Sequence, residues 1–150
     1  METDQICLDV EKKIGYNFKN REYLIRALTR HSYSKERDLP ENDYMDAYAT
    51  LGDAVIDVIV IKFIIDSGEH EKGSITLKKT NMVNMSSLRK LGEKLDIHEN
   101  VLWGKGERQQ EIWTSGRVLA ECMEAIAGAV FLDGGLEVVF EMLKKIDFVD

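Results

Sequence analysis

Apolar side chains recur at helical spacing along most of the chain, and polar stretches separate the segments that carry them. No two alternating apolar runs flank a short turn of the Asn-Gly kind, so the pattern predicts no hairpin. We therefore expect an all-α protein that forms one domain over residues 1–150. The predicted helices cover residues 20–29, 44–66, a segment that starts at 74–76, 85–95, a segment from 114 or 115 to 132, and 136–145.

Capping residues and polar stretches set the limits of these helices. Asn20 is the candidate N-cap of the first helix, and Thr114 or Ser115 is the candidate N-cap of the helix that ends near residue 132. Residues 30–43 contain the only proline and are predicted to be a loop. Residues 104–110, GKGERQQ, are predicted to be a polar turn.

The longest predicted helix contains the segment AVIDVIVIKFII, which is rich in β-branched residues. Propensity alone would also suit a buried strand. The apolar positions extend well beyond the length of a typical strand and no turn interrupts them, so they favour a helix. Such a helix would be buried on most sides and would form the centre of the fold.

Composition adds the expected setting of the protein. The chain has 150 residues, 44% of them hydrophobic and 31% charged, which is typical of one soluble globular domain. The N-terminus lacks the pattern of a signal peptide, and no apolar stretch is long enough to cross a bilayer. Two distant cysteines, Cys7 and Cys122, predict reduced thiols. We therefore expect a cytoplasmic protein that does not bind membranes.

The net charge of −7 argues against a nucleic-acid surface, unless the acids are grouped where bound cations reverse the local sign. Glu121 and Glu124 share one helical face, and Asp46 and Asp53 share a face of another helix. Gly52 within that helix indicates close packing. If the two helices cross here, four carboxylates converge on a Mg²⁺ or Mn²⁺ site of the kind that serves phosphoryl transfer. The alternative is that these acids lie on solvated faces.

Five segments, taken in order, resemble the catalytic domain of the ribonuclease III family. They are IGYNFKNREYLIRALTRHSYSKE, DAYATLGDAVIDVIVIKFI, GSITLKKTNMVNMSSLRKLGEKLDI, WGKGERQQ and LAECMEAIAGAVFLDGG. They resemble, respectively, the family's GYxF and ALTHxSY opening, its NERLEFLGD signature helix, its G-x-L-T segment with VN, its LGKGE turn and its LADxxEAxxGAxYLDGG helix. The resemblance spans about residues 14–135.

This resemblance implies an all-α helical bundle, the ribonuclease III endonuclease-domain fold, that cuts double-stranded or structured RNA as a homodimer with Mg²⁺ or Mn²⁺. Asp53 matches the last aspartate of the signature, and Glu124 matches the glutamate of the EA pair. Glu121 stands where the family usually has aspartate, and Asp46 matches the first, accessory glutamate. The resemblance thus assigns Asp53, Glu121 and Glu124 to the metal, and Asp53, Glu124 and Asp46 to catalysis.

Two departures from the family pattern change what is expected. Ala49 occupies the position of a glutamate that binds metal in the family, and alanine cannot coordinate an ion. Thr50 replaces a phenylalanine that the family inserts into the partner subunit. The chain could therefore be a weakened enzyme, or an inactive ribonuclease III-like module for RNA binding or assembly. A third alternative is an all-α interaction domain without an RNA role.

Five basic residues are candidates for contacts to RNA phosphates. The alternative for each of them is an ordinary solvated charge at the surface. No double-stranded-RNA-binding module follows Asp150 in this sequence. We therefore expect a stand-alone form with low affinity for long duplexes, or RNA delivered by a partner. The candidates are Lys78, Lys79, Arg89, Lys105 and Arg108.

Overall fold

The computed structural model describes residues 2–149, and this part of the chain is helical without a β-strand. One isolated parallel bridge joins Thr29 and Leu102, and two short 3-10 turns lie at Ile97–Glu99 and Ile112–Thr114. The all-α prediction is confirmed. The α-helices are α1 Glu2–Ile14, α2 Arg21–Ala27, α3 His31–Glu36, α4 Asp46–Asp66, α5 Lys72–Met82, α6 Met85–Lys94, α7 Lys105–Gln110, α8 Val118–Gly134 and α9 Leu136–Lys145.

Helices α4 and α8 form the centre of the molecule and pack against each other along their lengths. Residues 122–130 of α8 are all buried, because α2, α4, α6 and α9 surround this helix. The β-branched segment of α4 is helical, as its length predicts, and Val55, Ile56, Ile59 and Val60 are buried in the core. No helix within residues 2–149 has the length and apolarity needed to span a membrane.

Two glycines bring the backbones of α4 and α8 into contact. A Cβ atom on Gly52 would overlap the carbonyl oxygen of Glu124, and a Cβ atom on Gly128 would overlap the carbonyl oxygen of Tyr48. Only glycine fits at either position, which explains why α4 carries a residue that weakens helices. The crossing fixes the residue after Gly52, which is Asp53, beside Glu124.

Two segments predicted as irregular are short helices. Residues 31–36, predicted as loop, form α3, and residues 105–110, predicted as turn, form α7. Tertiary contacts hold both helices, since Glu36 accepts a hydrogen bond from the Lys105 backbone N–H at 2.9 Å. Glu107 accepts bonds from Ser32 Oγ at 2.7 Å and from Arg30 at 2.9 Å. Helices of six residues are too short to be stable on local preference alone. They also span fewer than two turns, so the apolar pattern along the sequence does not reveal them.

The helix ends confirm one of the two predicted N-caps and contradict the other. Asn20 caps α2 by accepting a hydrogen bond from the Glu22 backbone N–H at 3.0 Å, as predicted. Arg117 occupies the N-cap of α8, without a side-chain cap bond, where Thr114 or Ser115 was predicted. The sequence pattern also missed α1, whose acidic first turn and basic last turn suit the helix dipole.

Candidate active site

The crossing of α4 and α8 places the carboxylates of Asp53 and Glu124 next to each other. Asp53 is exposed on α4, whereas Glu124 on α8 is only 5% exposed. Burial, contact with Asp53 and the charges of Asp53 and Glu121 together raise the pKa of Glu124 to about 8, and burial contributes most. Two adjacent carboxylates, one of them buried, stay ionised at neutral pH only if a cation offsets their repulsion.

The other two predicted acids are less close to this pair. Glu121 is half-buried one turn before Glu124 on α8, and Asp46 is exposed at the first residue of α4. Within residues 2–149, no three acidic, histidine or cysteine side chains lie close enough to hold one metal ion between them. The structure therefore brings Asp53 and Glu124 together and does not close a cage of four carboxylates.

Ala49 is one reason why the four carboxylates do not form a closed cage. It lies on α4 between Asp46 and Asp53, three residues after the first and four before the second, so it shares their helical face. Its half-buried methyl group offers no oxygen. The face that carries Asp53 therefore has a gap where a longer acidic side chain would add a ligand.

The donor set that remains fits a Mg²⁺ or Mn²⁺ ion. Mg²⁺ in proteins keeps several waters and is commonly bound by one or two carboxylates together with substrate phosphate oxygens. Asp53 and Glu124 supply two such carboxylates, and the surroundings of the buried one disfavour its charged form. A divalent ion at this pair would relieve that cost, and phosphate and water oxygens would complete its coordination.

Three of the five basic RNA candidates are engaged in ion pairs at the surface. Each pair has an N–O distance of 3.3 Å, and Arg89 also donates to the Thr114 carbonyl at 2.9 Å. These side chains are less available to phosphates than the sequence indicates, because a phosphate would have to compete with the carboxylate. The pairs are Lys78–Glu69, Lys79–Asp57 and Arg89–Glu93.

Lys105 and Arg108 differ from the other three. Both are exposed on α7, and neither forms an ion pair within residues 2–149. They line an open groove together with Arg37, which the sequence analysis did not single out and whose guanidinium lies over the Tyr33 ring. Glu2 and Glu36 also line this groove, so its charge is mixed.

Arg117 is a second residue that the sequence analysis missed. It precedes Glu121 by four residues and Glu124 by seven, so all three share a helical face. Among the groups that act most strongly on Glu124, its positive charge is the one that lowers the Glu124 pKa. The same spacing rule that grouped the acids would have found it.

Comparison with known proteins gives the family. A ribonuclease-III-like family model matches residues 20–147. Ribonuclease 3 of Bdellovibrio bacteriovorus is 33% identical over 144 residues, which are 95% of this chain and 61% of that protein. Ribonuclease 3 of Geobacillus thermodenitrificans is 34% identical over 141 residues, 93% of this chain and 57% of that protein. The chain thus spans less than two thirds of the length of these relatives.

Solved structures agree on the fold. The nuclease domain of ribonuclease III from Campylobacter jejuni superposes with a TM-score of 0.82 at 24% identity, over 92% of this chain and 93% of that one. A second structure of the same domain gives a TM-score of 0.78. The resemblance carried by the five sequence segments is confirmed, and because the family match covers most of the residues, the chain belongs to the ribonuclease-III-like family.

Proposed function

We propose that this chain is a metal-dependent endoribonuclease that hydrolyses phosphodiester bonds in double-stranded or structured RNA. One observation carries the proposal: the α4–α8 crossing holds a buried glutamate against an aspartate, and two carboxylates so placed repel each other unless a cation or a proton lies between them. Family membership supports the reaction class. The free, buried thiols of Cys7 and Cys122 are consistent with action in the reducing cytoplasm.

Asp53 and Glu124 would hold Mg²⁺ or Mn²⁺ directly, while Glu121 and Asp46 would accept hydrogen bonds from waters around it. The bound ion would supply a Lewis acid that makes water more acidic and offsets phosphate charge. In the reaction, a water oxygen bonds to phosphorus and loses a proton to solvent or a nearby carboxylate. The bond from phosphorus to one ribose oxygen breaks, and that oxygen takes up a proton.

We also propose a homodimer formed through α4. Val58 and Ile65, seven residues apart on one face of this helix, are 51% and 38% exposed and would offer apolar surface to a second copy. Thr50 is exposed and its hydroxyl donates to the Asp46 carbonyl at 3.2 Å, so it offers no apolar anchor. RNA would approach from the side that exposes Asp53, and the exposed Lys105 and Arg108 would be among the cations that contact its phosphates.

Replacing Asp53 with asparagine tests the reaction. We expect Asp53→Asn to lower cleavage of a labelled RNA duplex in Mg²⁺ or Mn²⁺ at least about 1000-fold, because a direct ligand is lost. Asp66→Asn removes an exposed carboxylate from the end of the same helix and is the matched control. Equal cleavage by Asp53→Asn and the unchanged protein would refute the proposed site.

The second candidate function is a non-catalytic RNA-binding or assembly module, which the methyl group of Ala49 favours. Ala49→Glu discriminates between the two, because it adds a carboxylate to the face that carries Asp53. For a weakened enzyme we expect cleavage to rise about 10-fold to 100-fold, the range that metal-site groups typically contribute. Ala47→Glu, exposed two residues earlier, is the control. Duplex binding without cleavage in either variant would select the module.

A further inference from the structure

One basic residue, Arg117, shares the face of α8 that carries Glu121 and Glu124. It stands at the N-cap of α8, one turn before Glu121 and two turns before Glu124. Helical geometry directs residues at this spacing to the same side of the helix. The charge of Arg117 also lowers the pKa of Glu124, in agreement with this spacing.

Nothing in the fold requires an arginine at this position. The side chain is exposed and makes no cap bond, and it forms no ion pair within the described chain, including with Glu121 four residues later. N-caps favour serine, threonine, asparagine and aspartate, and a cation there opposes the positive end of the helix dipole. Arg117 therefore stands where local preferences disfavour it, with all its donors available.

We propose that Arg117 binds the phosphate that Asp53 and Glu124 bring to reaction. This inference rests on the proposed nuclease function and adds a residue to its site. A guanidinium presents paired N–H donors that match two phosphate oxygens, and its charge does not titrate. With the carboxylates on the metal side of the phosphate, Arg117 would hold the oxygens that the metal leaves free.

The position of Arg117 beside the carboxylates predicts that its loss has opposite effects on the binding of the divalent ion and on the binding of RNA. A positive charge beside the carboxylates repels a divalent cation, so Arg117→Gln should tighten Mn²⁺ binding by about threefold. The same change removes a charged donor pair from the phosphate. Duplex RNA binding, measured in Ca²⁺ to prevent turnover, should weaken about 10-fold, and the slope of log Kd against log salt should fall by about 1.

Two control variants separate the effect of the positive charge at position 117 from the effect of the paired guanidinium donors and from the loss of a charge elsewhere. Arg117→Lys keeps the charge without the paired donors and should recover the Mn²⁺ affinity of the unchanged protein but only part of the RNA affinity. Lys12→Gln removes an exposed cation from α1 and should change neither.

Mn²⁺ binding is measured by electron paramagnetic resonance, as the loss of the signal of free Mn²⁺. This measurement needs neither RNA nor turnover. If Arg117→Gln binds RNA as tightly as Lys12→Gln does, the inference is overturned, whatever happens to Mn²⁺. Weaker Mn²⁺ binding by Arg117→Gln would also overturn it. Failure of the proposed function looks different, because Mn²⁺ binding would then be absent from the unchanged protein or unaffected by Asp53→Asn.

Discussion

Gly52→Ala is expected to destabilise the protein by about 3 kcal/mol, which for a chain of this length lowers Tm by about 10 °C. The added methyl group would meet the carbonyl oxygen of Glu124, which is backbone and cannot rotate away. Helices α4 and α8 would have to separate at the centre of the core. The same movement would pull Asp53 from Glu124, so Mn²⁺ binding and cleavage should be lost together. Thermal unfolding followed by circular dichroism measures the first effect.

Gly106→Ala is the matched control for this substitution. Gly106 lies within α7, and a Cβ atom there would meet no other atom within 4 Å. Alanine should therefore be neutral or stabilise by up to about 1 kcal/mol, because it favours the helix more than glycine does. Equal Tm values for Gly52→Ala and the unchanged protein would show that the two backbones are not in contact.

Glu124→Gln is expected to stabilise the metal-free protein at pH 8 while it removes metal binding. The folded protein holds the Glu124 proton up to a pKa of about 8, whereas the unfolded chain releases it at the ordinary glutamate pKa of 4.5. Between these values the folded state binds more protons, so its stability falls as the pH rises. Glutamine carries no charge, and we expect a gain of at least about 1 kcal/mol at pH 8, or about 3 °C in Tm.

The pH dependence separates this effect from ordinary repacking. The advantage of Glu124→Gln should shrink as the pH is lowered and be lost below about 4.5, because the unchanged protein is then protonated at Glu124 in both the folded and the unfolded state. Saturating Mn²⁺ at pH 8 should raise the Tm of the unchanged protein and leave that of the variant where it was. A lower Tm for Glu124→Gln than for the unchanged protein at pH 8 without metal contradicts the account.

The helices that sequence predicts well are those whose apolar stripe faces α4 or α8. The predicted range 136–145 coincides with α9, and the predicted end of α4 at Asp66 is confirmed. Helices α3 and α7 escape prediction because contacts between distant residues stabilise them, such as the bond from the Lys105 backbone to Glu36. No local pattern contains that information.

For the candidate site, sequence spacing indicates which acids share a helical face but not how the two helices cross. Gly52 signals close packing, yet its partner, the backbone of Glu124, lies 72 residues away (124 − 52) and is seen only in the fold. The expected meeting of four carboxylates reduces to the pair Asp53 and Glu124, because Asp46 lies two turns before Asp53 and Ala49 leaves a gap between them. Residue type indicates the chemistry that we propose, and the crossing decides which of the acids lie close together.

Titration of the metal-free protein with Mn²⁺ at pH 7.5 tests the central claim most directly, with Asp53→Asn, Glu124→Gln and Asp66→Asn measured beside it. We expect the unchanged protein and Asp66→Asn to bind Mn²⁺ with the same affinity, and both substitutions at the crossing to weaken binding at least about 10-fold. Equal Mn²⁺ affinity in all four proteins would show that the carboxylates where α4 meets α8 do not hold a divalent ion.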